Sequence, residues 1–353
     1  MLNKYFCTLF LNLQKVRSIL SKFLVFSILF LEFSCSTELD VNAPYRETKV
    51  AYCILDPSEP FQTARISKGF LSDGRPASEI AKNNPDSSLY DPAVLEVQLQ
   101  EINANSRQVI RRWTMNDTLF TSKEEGTFYA PDQIVYKTPN IRLDSSRLYR
   151  LSIFNKRTGN RSEATTNLIG RNLRITSPIA DNPTLPVSIP FRSKAPTTIR
   201  TSKSNNAAIM EGITIFRIQV KKTSRPDTTE ETWLWRSPGL FSIGSEAANA
   251  TYAGNGFFSF IKTEVTTRGN QDVEWRRFKS TNLEITTANN EFENYSLVNG
   301  NYNAITQSVP TYTNFNQGLG VLCSRNRQNF RVAPNNLSLD SLNILVPEFK
   351  LKK

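Results

Sequence analysis

Ala93-Val94-Leu95-Glu96-Val97-Gln98-Leu99-Gln100-Glu101-Ile102 is the stretch on which the fold turns. Leu95, Val97 and Leu99 fall on one side of an extended chain, and Glu96, Gln98 and Gln100 on the other. That period of two is the mark of a half-buried strand. Working outward, similar runs recur at Lys49 to Leu55, Thr63 to Ser67, Gln108 to Met115, Gln133 to Lys137 and Leu148 to Asn155. Thr158-Gly159-Asn160 then turns the chain back into Arg161 to Leu168. Short strands parted by turn residues predict packed β layers. Gly69 to Pro92 is polar and rich in Asp, Asn, Ser and Pro, so it reads as a long surface insertion with a helical turn at Ala77 to Lys82.

Leu143-Asp144-Ser145-Ser146-Arg147-Leu148-Tyr149-Arg150-Leu151-Ser152-Ile153 sharpens this class. A leucine six positions before a tyrosine, with a strand following, resembles the corner of immunoglobulin-like and fibronectin type III domains. The resemblance implies a tyrosine hydroxyl bonded back to the loop backbone, pinning a β-sandwich over residues 45–172. A generic strand carrying an edge tyrosine is the alternative.

Residues 173–192 hold Pro178, Pro183, Pro186 and Pro190 and are expected to form a stiff connector. Residues 193–353 form a second β-rich domain with one short helix in this reading, so the fold class is mainly β. Gly212 to Lys222 is apolar on both faces at its start, which suits a central strand. Trp233 and Trp235 lie two apart and share a strand face. Exposed, they make a candidate glycan platform; buried, they are core, the commoner fate of large aromatics. Phe257 to Thr266 is expected to be a strand with Phe258, Phe260 and Lys262 on one side, and Val273 to Phe278 and Leu283 to Thr287 two further strands. Asn289 to Val298 is expected to be a short helix capped by an Asn.

Composition excludes whole classes of chemistry. Among 353 residues there is no histidine, which removes Ser-His and Cys-His nucleophile pairs and histidine-ligated zinc. No cofactor and no metal is expected. The formal charge of +11 is spread along the chain rather than clustered. The basic pairs Arg111-Arg112, Lys221-Lys222 and Arg276-Arg277 sit in strand-like runs, so nucleic acid is not expected as a partner. Cysteines stand at 7, 35, 53 and 323. Cys53 and Cys323 read as buried free thiols in separate domains, with a disulfide as the alternative.

The N-terminus reads as an export signal. Lys4, Lys15, Arg17 and Lys22 precede an apolar run, Phe23 to Leu31, that is far short of the roughly 20 residues needed to span a bilayer. Ser34-Cys35-Ser36 follows directly and resembles the bacterial lipobox. Residues 1–34 are then a lipoprotein signal peptide, Cys35 the lipid-attachment residue and 35–44 a tether. The expected site is the outer membrane, with the lipid as anchor.

Val309-Pro310-Thr311-Tyr312-Thr313-Asn314-Phe315-Asn316-Gln317-Gly318-Leu319-Gly320-Val321-Leu322 resembles the TN-x-x-x-GLG signature of an uncharacterised family of Bacteroidetes outer-membrane lipoproteins. The resemblance implies an N-terminal immunoglobulin-like domain and a TonB-dependent receptor as partner. Glu38 and Asp40, close behind the cysteine, resemble the surface-export signal of those bacteria. Asp-Ser/Thr triplets resembling their O-glycosylation sequon mark Thr118, Thr228 and Ser341 as candidate sites on exposed loops. The residues Asn314, Gly318, Leu319 and Gly320 read as structural, because two glycines around an apolar residue suit a bulge or a close approach of two backbones.

Three functions stay open on the sequence. The first is a non-catalytic, lipid-anchored accessory or binding protein of the outer membrane. The second is a carbohydrate-binding or glycan-acting surface lipoprotein, with Trp233 and Trp235 as platform and a carboxylate pair as acid and base. The third is a structural or adhesion component of the envelope. No catalytic constellation is visible, and the chain is not expected to be an enzyme.

Overall fold

The structure is a computed structural model that describes residues 47–70, 76–121, 132–180, 182, 184–236, 241–242, 249–300 and 311–352. The expected signal peptide, Cys35 and the tether lie outside the described residues. The described residues all belong to one compact unit, Arg46–Lys353.

The first eight strands are β1 (Lys49–Leu55), β2 (Thr63–Lys68), β3 (Leu95–Ile102), β4 (Val109–Thr114), β5 (Asn116–Phe120), β6 (Gln133–Lys137), β7 (Leu148–Asn155) and β8 (Arg161–Asn167). They make two facing layers, ordered β1-β2-β6-β5 and β4-β3-β7-β8. Lettered in the immunoglobulin manner these are A-B-E-D against C′-C-F-G. The inward side chains of both layers meet in one core, with Cys53, Ile66, Val97, Leu99, Leu151 and Ile153 all buried. At the corner before β7 the backbone N–H of Asp144 donates to the Tyr149 hydroxyl at 2.8 Å. Tyr149 is fully buried, Leu143 packs in the same core, and Trp113 stacks on the tyrosine ring at 6.5 Å. The insertion carries two short helices, α1 (Ala77–Asn83) and α2 (Pro85–Ser88).

Beyond residue 170 come β9 (Ile175–Ser177), β10 (Val187–Ile189), β11 (Thr197–Thr201), β12 (Ile209–Lys222), β13 (Thr228–Arg236), β14 (Phe241–Ser242) and β15 (Asn249–Tyr252). They are followed by α3 (Gly256–Arg268), β16 (Val273–Ala288), α4 (Asn290–Gly300), β17 (Leu319–Pro334) and α5 (Asn336–Leu345). Their core is aromatic. Phe191 stacks on Phe257 at 4.4 Å, and Trp235 lies 4.5 Å from Tyr252.

The expected separation into two domains does not occur, and β17 is the reason. At 16 residues it is roughly 50 Å long, enough to serve both cores. Its first six residues pair in parallel with β1, from Val50↔Leu319 to Leu55↔Ser324. Its remainder pairs antiparallel with β16, from Ala288↔Arg325 to Thr281↔Val332. One sheet, β13-β12-β16-β17-β1-β2-β6-β5, therefore runs through the whole unit. The proline-rich stretch is likewise no free connector. β10 pairs with β17, β9 pairs with β11, and Leu173, Ile189 and Phe191 are core residues.

Two local expectations are corrected. Residues 257–266 are helical, because Phe257, Phe258, Ile261 and Val265 repeat at helical spacing and are the buried ones, while Lys262 is exposed. Their aromatic and β-branched content suggests a strand, but burial follows the spacing. The two expected strands around residues 273–287 are one continuous strand, β16. α4 does begin after Asn289, yet that side chain is turned away from it. Its amide donates to Thr166 Oγ1 at 2.7 Å and its carbonyl oxygen accepts from Ser324 N–H at 3.1 Å.

Candidate functional site

The signature residues form a seam that closes the open side of the sandwich. Asn314 meets the backbone of Leu322 twice: its Oδ1 accepts the N–H at 2.9 Å and its Nδ2 donates to the carbonyl at 2.7 Å. A side-chain amide thus stands where a neighbouring strand would. Phe315 is buried in the sandwich core. Asn316 pairs with Glu163 of β8 through its backbone N–H and its Oδ1, and Ser162 donates to the Gln317 carbonyl. Having bonded one layer, the chain crosses to the other. Gly318 and Gly320 take φ of +110° and +107°. A Cβ on Gly320 would lie 1.9 Å from the Ala51 carbonyl oxygen, and one on Gly318 2.5 Å from that of Lys49. The glycines are what lets β17 reach β1, and Leu319 between them is partly exposed on the outer face.

Trp233 and Trp235 do not form a platform. Trp233 is fully buried, edge-on to Phe349 at 5.7 Å, with its indole N–H donated to Glu231 at 2.9 Å. Trp235 is half-buried against Tyr252, Phe191 and Phe260. Neither ring offers the free face a sugar needs. Of the candidate glycosylation residues, Thr118 is exposed in β5 and Thr228 exposed at the start of β13. Ser341 is half-buried within α5, so it is not on a loop.

Cys53 and Cys323 are free and buried, but they are not in separate domains. They sit on the paired strands β1 and β17, where Cys53 is opposite Leu322 and Ile54 opposite Cys323. Paired residues share a face and successive residues alternate. Cys53 therefore points into the sandwich core and Cys323 to the other side of the sheet, which no disulfide can bridge. Burial pushes both thiols up, Cys323 to about 12 with Glu291 adding to it.

The outer face of β1 and β2 carries a feature suited to binding. A cavity of about 530 Å³ lies there, floored by the sheet and walled by the insertion. Register puts Tyr52 opposite Arg65, and Arg65 opposite Val135, so these side chains share the outward face. Tyr52, Phe70, Ala81 and Leu89 supply apolar lining, and Arg65 supplies charge. Such a volume is that of an ordinary small-molecule site. Across it from the insertion, Tyr52 meets Tyr295 of α4 edge-on at 5.9 Å.

Glu47 ties three segments of the sandwich together. Its carboxylate accepts from Tyr90 Oη at 2.9 Å, Asn155 Nδ2 at 2.7 Å, Thr158 Oγ1 at 2.7 Å and Asn160 Nδ2 at 3.3 Å. Lys49 Nζ is 3.4 Å away. Burial by itself would raise this carboxyl, but the hydrogen bonds outweigh it and bring it to about 2. The entry to β1, the end of the insertion and the β7–β8 turn are thereby held together.

Sequence reasoning marks the insertion as a surface element but misses Arg65 and Tyr52. The signal is present in β1: Val50 to Leu55 is apolar on both faces, which requires something to cover the outer one. Among the described residues no cluster of acidic and cysteine side chains could hold a metal ion, and no helix is long and apolar enough to cross a membrane. No protein-family model matches this chain, and no curated protein matches it.

Proposed function

We propose that this chain is a non-catalytic, lipid-anchored binding protein of the bacterial outer membrane, with its ligand seat in the cavity on the outer face of β1 and β2. The cavity carries the reading: a volume of about 530 Å³, apolar walls and the Arg65 guanidinium, set on a sheet rather than in either core. The leader layout ending at Cys35 supports the anchor. The TN-x-x-x-GLG resemblance supports membership of the Bacteroidetes lipoprotein family and a TonB-dependent receptor as partner. The burial of Trp233 disfavours the glycan-platform alternative.

The test is native purification from outer membranes in mild detergent, with mass spectrometry of what accompanies the protein. A lipid on Cys35, lost in Cys35→Ser together with outer-membrane fractionation, and a stoichiometric receptor are the expected results. A chain that fractionates as before without Cys35 refutes the anchor. A chain that emerges alone refutes the receptor partnership.

A further inference from the structure

Among the described residues the charge lining the cavity is positive. Arg65 rises from the middle of β2 with Tyr52 and Val135 as its cross-strand neighbours, so no carboxylate faces it within the sheet. Lys68 ends the same strand three residues on, so it points to the inward face, with its ammonium 5.9 Å from the centre of the buried Tyr90 ring. Lys49, its cross-strand neighbour, is directed to Glu47 instead. Among the described residues neither Arg65 nor Lys68 is within ion-pair distance of an acid, and no acidic residue lines the cavity. Cations held beside an apolar wall gain from an anion that arrives with matching apolar bulk, because water screens the pair poorly there.

We propose that the cavity takes a small organic carboxylate with an apolar body. The carboxylate sits on Arg65, and the body lies against Tyr52, Phe70 and Leu89. This rests on the cavity being the ligand seat. The planar fork of Arg65 matches a carboxylate in two parallel hydrogen bonds, and the predominance of apolar lining matches a ligand with one charge rather than several.

The experiment uses the full-length protein in lipid nanodiscs, titrated calorimetrically with 4-phenylbutanoate, its neutral amide and the corresponding phenylbutyl ammonium. The expected order is carboxylate tightest, amide roughly 10- to 100-fold weaker and ammonium weakest. Arg65→Gln reduces the preference for carboxylate over amide while circular dichroism stays unchanged. Leu89→Trp, which fills the cavity, removes binding of all three. Carboxylate and amide binding alike, both lost in Leu89→Trp, overturns the anion proposal and leaves the seat standing. Absence of any binding, or binding indifferent to Leu89→Trp, overturns the seat and the proposal with it.

Discussion

Gly320→Ala is the substitution that tests the seam between the two cores. The backbone there has φ of +107°, and the new methyl carbon would lie 1.9 Å from the Ala51 carbonyl oxygen and 2.7 Å from its carbon. An L residue at positive φ costs about 1–2 kcal/mol, and forced overpacking adds about 1–3 kcal/mol. The obstructing atoms are backbone of β1, so relief requires moving β17 away from its six-residue ladder. The expected loss is about 2–5 kcal/mol, or roughly 3–8 °C in thermal unfolding for a unit of this size. Gly159 supplies the control: its φ is +73° but nothing lies within 4 Å of its added Cβ. Gly159→Ala therefore bears only the conformational cost, about 1–2 kcal/mol. Gly318→Ala, 2.5 Å from the Lys49 oxygen, should fall between. Circular dichroism melts at one scan rate give the ranking. A Gly320→Ala melt indistinguishable from that of Gly159→Ala would refute the close-approach account of the signature.

Four further outcomes are expected. Tyr149→Phe leaves the Asp144 N–H without its 2.8 Å partner and should destabilise by about 1–3 kcal/mol in denaturant titration, with no change in ligand binding. Trp233→Ala removes a fully buried indole and should cost about 3–5 kcal/mol; a stable variant that had lost glycan binding would contradict the core assignment. Glu47 carries a folded-state pKa of about 2 against an ordinary value of 4.5. Its contribution is present above pH 4.5 and is lost as pH falls towards 2, so Glu47→Gln should flatten the acid limb of the stability–pH curve. Cys53 and Cys323 should resist iodoacetamide in the native state, since burial holds both thiols protonated. Unfolding midpoints should also match with and without reductant.

Much of the sandwich is legible because its determinants are local. The alternation of Leu95, Val97 and Leu99 specifies a face without reference to any distant residue, and the Leu143–Tyr149 spacing encodes a corner within seven positions. The close-approach reading of Gly318 and Gly320 is likewise available, since a paired glycine in a strand announces a missing Cβ. The partner of that approach is not. Val50 and Leu319 are 269 positions apart (319 minus 50), and nothing in either segment names the other. The fusion of the two expected domains into one unit, and the relation of Cys53 to Cys323, follow from that single parallel pairing. The helix at Gly256–Arg268 escapes a reading by composition because aromatic and β-branched content favours a strand until packing selects the helical face. The cavity depends on the same long-range choices. Arg65 and Tyr52 are ordinary residues on two strands, and they become the lining of a pocket only once Phe70, Ala81 and Leu89 of the insertion pack beside them. The sequence alone determined the strands, the corner and the glycines, because those depend on backbone geometry and neighbours a few positions away. Tertiary structure alone decided which strands share a sheet and what the sheet's outer face encloses, because those depend on contacts between segments hundreds of residues apart.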